Sequence, residues 1–158
     1  MTTSTETTVR REITVAVPAA KAFAVFTEGF ATWWPESHHL GAAPLERVTM
    51  EPGVGGRWYE RTVDGAECDW GAILAWEPPH RLVLSWHLDG NWEIDPDPTH
   101  ASEIEVTFVE GDEVTVVVVE HRHLDRHGDT AAGVREGVGG DGGWSGLLAA
   151  FAAVVVDA

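Results

Sequence analysis

Six side chains of metal-ligating type, His38, His39, His121, Asp125, His123 and His127, open the question of chemistry in this chain. Zinc and related metals need three or four such ligands converging at about 2 Å. His121 and His123 lie two apart in a strand-patterned run, so both would point the same way, with the loop carrying His38 and His39 above them. No HExxH pair and no cysteine pair fixes such a geometry, and the sequence is read as holding no metal. Nucleophilic catalysis has less to build on. Ser85 and Ser145 lack the Gly-x-Ser-x-Gly elbow, and Cys68 is the single cysteine. The glycine strings 53–56 and 137–143 lack the lysine of a phosphate loop and read as turns, so no cofactor is expected. For proton transfer, Glu60, Glu77, Glu120 and His121 would serve only if buried. Carboxylates on strands are mostly solvated, and a lone inward histidine is mostly structural.

Aromatic side chains are the stronger signal. Eight tryptophans in 158 residues exceed ordinary usage, and Trp33, Trp34, Trp58, Trp70, Trp86 and Trp144 come from separate regions. Gathered in one place they would line a pocket for a flat or apolar ligand, or else fill a core.

The elements that would gather them can be read from periodicity. Residues 9–17 alternate around Ile13, Val15 and Val17 as a first strand, ended by Pro18. A helical window follows with Ala22, Phe23, Val25 and Phe26 apolar, then a short helix over 30–34 and a loop over 35–44. Strand patterns occupy 45–51, 56–63, 68–76, 81–88, 103–110 and 113–123, separated by Pro-Gly, Asp-Gly, Pro-Pro and Gly-Asp turns. Short links imply antiparallel hairpins. On 113–123, Thr115, Val117, Val119, His121 and His123 share one face. The glycine-rich stretch 125–143 reads as mobile, with at most one short helix over 130–136. Residues 143–158 carry Trp144, Leu147, Leu148, Phe151, Val154 and Val155 at helical spacing. This last helix is the one long element able to cover the sheet, and its glycine-rich approach would let it shift.

Composition bounds the rest. The size and the 44% hydrophobic content suit a single domain over 9–158 behind a disordered tail over 1–8. A net charge of −16 argues against nucleic acid and anionic membranes as partners. A lone cysteine and a polar N-terminus without an apolar core point to the cytoplasm.

Particular strings carry a resemblance over 9–155. They are Gly55-Gly56-Arg57-Trp58-Tyr59-Glu60, Asp64-Gly65, Trp70-Gly71, Trp76-Glu77-Pro78-Pro79 and Arg81-Leu82-Val83-Leu84-Ser85-Trp86. Trp33-Trp34-Pro35, Glu120-His121-Arg122-His123-Leu124 and Gly143-Trp144 agree with them in order. Together they resemble the activator of heat-shock protein 90 ATPase homologue-like family, in the START/SRPBCC superfamily with birch-pollen-allergen-like proteins and polyketide cyclases. The resemblance implies an α+β helix-grip fold, a curved antiparallel sheet of six to seven strands around a long C-terminal helix. It also implies a cavity between sheet and helix, with His121 on the helix-facing side. Expected cavity-lining residues are Trp33, Trp34, Trp58, Trp70, Trp86, His121, Trp144, Leu148 and Phe151. The expected function is binding of a small hydrophobic or aromatic molecule. A cyclase- or hydratase-like enzyme and a chaperone-regulating interaction module are the alternatives, and the exposed strand edges suggest a homodimer.

Overall fold

The computed structural model describes residues 8–34, 43–91, 93–95, 97–140 and 143–156. Residues 1–7 of the expected tail, and His38 and His39, lie outside the described residues. In chain order the elements are β1 (Val9–Val15), α1 (Ala19–Thr27), α2 (Phe30–Trp33), β2 (Leu45–Met50), β3 (Arg57–Thr62), β4 (Glu67–Glu77) and β5 (Arg81–Trp86). Then come β6 (Ser102–Glu110), β7 (Thr115–Arg122), α3 (Ala131–Gly139) and α4 (Trp144–Val155), with 3-10 segments at Pro98–His100 and Leu124–Thr130.

The seven strands form one antiparallel sheet in the order β1-β7-β6-β5-β4-β3-β2. β2 through β7 run as a meander, joined by short turns except between β5 and β6, where residues 87–101 form a longer connection. β1 instead joins the far edge, with Ile13 opposite Val117 and Val9 opposite His121. Both edge strands thus come from the first third of the chain. Register shifts between Trp58 and Tyr59 and between Ile73 and Ala75 bend the strands locally. This is the helix-grip arrangement.

α4 presents Trp144, Leu147, Leu148, Phe151 and Val155 to the core, whereas Val156 is half exposed. It does not cover the sheet alone. Seven strands at about 4.8 Å spacing span roughly 29 Å, against about 10 Å for one helix. α1 and α2 take the remainder. The Phe23 ring meets Trp76 and Phe108 at 5.1 and 5.2 Å, and Phe26 bridges Phe108 at 5.8 Å to Phe151 at 5.5 Å. Leu124–Val155 as a whole is long and apolar enough to cross a membrane by composition. The stretch is divided between a 3-10 segment and two helices, and the apolar face of α4 is the core of the fold.

The glycine-rich stretch holds more regular structure than the one short helix expected over 130–136. It holds the 3-10 segment and the nine residues of α3, with Val134 and Val138 buried. Gly143 is required by contact: a Cβ there would lie 2.1 Å from the Val138 carbonyl oxygen. The chain turns from α3 into α4 with the two helices nearly touching, which only glycine permits.

Basic side chains are spent on the outer face of the sheet. Arg81 pairs with Glu105 at 2.6 Å, and Arg122 reaches Glu103 and Glu105 at 3.2 and 3.1 Å. Arg57 pairs with Asp69 and Glu67 at 2.6 and 2.9 Å. These pairs leave the inner face to apolar and aromatic groups.

Candidate functional site

Three neighbouring strands each place one indole on the inner face: Trp58 on β3, Trp70 on β4 and Trp86 on β5. Their ring centroids are 5.5 Å (Trp58 to Trp70) and 5.7 Å (Trp58 to Trp86) apart. α2 and the residue after it oppose this wall. Phe30 sits 6.0 Å from Trp58, and Trp34 is 5.2 Å from Trp70. Trp33 links Phe30 at 5.0 Å to Phe151 of α4 at 5.6 Å. At the other end, Trp86 touches His121 at 5.1 Å and Trp144 at 6.4 Å. Eight of the nine expected lining residues therefore join one continuous run of rings, from Phe151 to Trp144. The ninth, Leu148, is buried on α4 at 2% exposure.

Most of these indoles are pinned by their N–H. Trp33 donates to the Val25 carbonyl at 3.1 Å, Trp86 to the Leu88 carbonyl at 2.9 Å, and Trp70 to Glu60 Oε1 at 2.9 Å. Glu60 is only 1% exposed. It shares the inward face with Trp58, two residues earlier on β3, and that alternation is the sequence signal for its burial. Trp58 is fully buried, and its Nε1 has no partner.

His121 is buried completely and belongs to a hydrogen-bonded chain. Trp144 Nε1 donates to His121 Nδ1 at 3.1 Å, His121 Nε2 is 2.8 Å from Ser102 Oγ, and Ser102 Oγ is 2.8 Å from His127 Nε2. The indole can only donate, so the neutral His121 carries its proton on Nε2 and gives it to Ser102. Ser102 then donates to His127 Nε2. Burial pushes His121 down to about 3, and burial lowers His127 as well, so both rings are held neutral. With both nitrogens engaged, His121 acts as a structural clamp that ties β7 to the start of α4. Neither Ser102 nor His127 was foreseen as its partner. Ser102 lies 19 residues before His121 and 25 before His127, and no periodicity links the three.

Other expectations change. β7 ends at Arg122, and His123 is exposed in a left-handed conformation, φ 61°, so it leaves the face it was expected to share with His121. Among the described residues no three His, Cys, Asp or Glu side chains converge as a metal-ligand set. Burial, with Glu60 and Asp69 adding to it, pushes the Cys68 thiol up, which disfavours the thiolate.

Residues 16–155 match the model of the family described as Activator of Hsp90 ATPase homolog 1-like protein. Among solved structures, the anthrahydroquino-gamma-pyrone synthase Txn09, in complex with SUM, is 44% identical. The match covers 94% of this chain and 98% of that one, with a TM-score of 0.66. The self-sacrificing resistance protein CalC from Micromonospora echinospora is 35% identical over 96% of each chain, with a TM-score of 0.66. Protein NE0264 from Nitrosomonas europaea, 15% identical over 99% of both chains with a TM-score of 0.67, shares the fold. No curated protein sequence is significantly similar. With the family model spanning nearly all of the described domain and two relatives above 30% identity, this chain belongs to the Activator of Hsp90 ATPase homolog 1-like family.

Proposed function

We propose that this domain binds a small, flat, largely apolar aromatic molecule between the inner face of the sheet and the α2–α4 side. The observation that carries the reading is the wall of Trp58, Trp70 and Trp86, opposed by Trp33, Trp34 and Phe151, with polar groups set into it. A core serving stability alone gains nothing from a carboxylate at 1% exposure or an indole N–H without an acceptor. The likeness to Txn09 supports the same class of ligand, by analogy with a synthase whose name is that of an aromatic polycycle. The lining is the set Trp33, Trp34, Trp58, Trp70, Trp86, His121, Trp144, Leu148 and Phe151, with His121 as support. The lone Cys68 is in keeping with a reducing cytoplasm.

The test is direct, because the ligand would stand among the reporters. A panel of neutral polycyclic aromatics titrated into the protein is expected to quench tryptophan emission and raise the melting temperature. A ligand at 100 times its Kd adds about 2.7 kcal/mol. A panel that changes neither emission nor melting temperature overturns the proposal.

A second reading, an aromatic cyclase or related enzyme, is favoured by Glu60, a buried carboxylate beside the aromatic wall. His121 has no free nitrogen for proton transfer, which leaves Glu60 as the acid or base. With an anthrahydroquinone-type substrate of the kind named for Txn09, Glu60→Gln is expected to lower turnover about 100-fold or more while binding persists. Turnover unchanged in that variant ends this reading. A chaperone-regulating role rests on the family description, and a homodimer on the two sheet edges at β1 and β2. Stimulation of heat-shock protein 90 ATPase activity and sedimentation analysis test these, with no stimulation and a monomer as the outcomes against them.

A further inference from the structure

We infer that the Trp58 indole N–H is the recognition point of the site and takes a neutral oxygen acceptor, a ring carbonyl or quinone oxygen, of a planar aromatic ligand. The inference rests on the small-molecule reading above and specifies its chemistry. Four buried indoles spend their N–H on protein acceptors: Trp33 on Val25, Trp70 on Glu60, Trp86 on Leu88 and Trp144 on His121. Trp58 is as buried as any of them, at 0% exposure, and its Nε1 has no partner. A buried donor without an acceptor is disfavoured strongly enough that native interiors keep few of them.

The surroundings say what would relieve it. Around Trp58 stand the rings of Phe30, Trp34, Trp70 and Trp86, at centroid distances of 6.0, 6.5, 5.5 and 5.7 Å. At these spacings the rings are packed against one another, so a guest must part them to stack among them, and an apolar enclosure offers a water too few polar partners to hold it. Charge then selects among oxygen acceptors. The chain carries a net charge of −16, which disfavours a carboxylate, phosphate or sulfate oxygen. A neutral carbonyl oxygen is not disfavoured in this way.

Fluorenone and fluorene test this. They are neutral, planar and nearly equal in size, and only fluorenone carries a carbonyl. Wild-type protein is expected to bind fluorenone about 10-fold or more tightly than fluorene, as judged by calorimetry and tryptophan quenching. Trp58→Phe keeps a ring in place and removes the donor. It is expected to abolish the preference, by weakening fluorenone about 10-fold more than it weakens fluorene. In the wild type, fluorenone should also move the Trp58 indole N–H proton resonance downfield, and fluorene should not. Equal affinity of the wild type for both probes, equal loss of both in the variant, or an unmoved indole resonance overturns the inference and leaves the binding proposal standing. Failure of the wild type to bind either probe or the wider panel overturns the binding proposal itself.

Discussion

Phe151→Ala is expected to remove about 3–5 kcal/mol of folding stability. The side chain is completely buried in the middle of α4, and its ring meets Phe26 at 5.5 Å and Trp33 at 5.6 Å, both edge-on. Truncation loses the transfer free energy of the ring and leaves a void that three separate elements would have to collapse to fill. Those elements are α1, α2 and α4, each pinned elsewhere, so collapse is incomplete. Edge-to-face pairs of this kind add about 0.5–1.5 kcal/mol each beyond burial. Because whole domains are stable by only about 5–15 kcal/mol, the variant should melt some 10 °C or more below the wild type. Urea denaturation reads the change as a lowered midpoint at constant slope. Val156→Ala, half exposed at the end of the same helix, is the control and should cost under about 0.5 kcal/mol. A loss below about 1 kcal/mol for Phe151→Ala would mean that α4 does not pack on the rings as described.

Acid is expected to destabilise the fold well before the carboxylates titrate. His121 is held at about 3 by burial, against 6.5 when unfolded, so between those values the unfolded chain takes up a proton that the native chain refuses. The unfolded state binds more protons in that window, and stability therefore falls as pH falls below 6.5. At about 1.4 kcal/mol per pH unit, His121 alone removes about 2 kcal/mol by pH 5. His127, lowered by burial, adds in the same direction. Asp89 and Asp95 face it and oppose the shift, whereas His87 and His100 reinforce it. The exposed His100 runs the other way, since Asp95 and Asp97 raise it and its pairing strengthens on acidification. Asp64, Asp95 and Asp97 are lowered from 3.8 by hydrogen bonds, and their contribution is lost only at still lower pH.

Geometry makes the histidine effect hard to evade. A proton added to His127 Nε2 turns Ser102 towards His121, which must then carry its proton on Nδ1, against the Trp144 N–H. The clamp between β7 and α4 has one proton arrangement. Denaturation midpoints at pH 7.5 and pH 5, the latter still above the pI of about 4.6, should show the loss. His121→Gln, which offers a neutral acceptor and donor, should flatten the difference while costing some stability at pH 7.5. A midpoint unchanged between the two pH values would refute the assigned proton order.

What was legible and what was not follows the range of the interactions. Alternation around Val117, Val119 and His121, and the helical stripe Trp144, Leu147, Leu148 and Phe151, are patterns within one element, and both faces came out as their periods require. Glu60 was readable in principle, being two residues from Trp58. Its type, which is solvated on most strands, outweighed its position.

By itself the sequence determined the order of the elements, the antiparallel meander from β2 to β7, the inward face of α4 and the set of aromatic residues that would meet. Each of these depends on the chain's near neighbours, through the 3.6- and 2-residue periods and the turn residues between them. Only the tertiary structure decided that β1 closes the sheet against β7, that α1 and α2 share the covering of the sheet with α4, and that Gly143 is a point of contact. It also decided which inward polar groups find partners. His121 finds Trp144 and Ser102, whereas the Trp58 indole finds none. Those outcomes depend on distances between residues tens of positions apart, and such distances exist only once the sheet has curved around the helix.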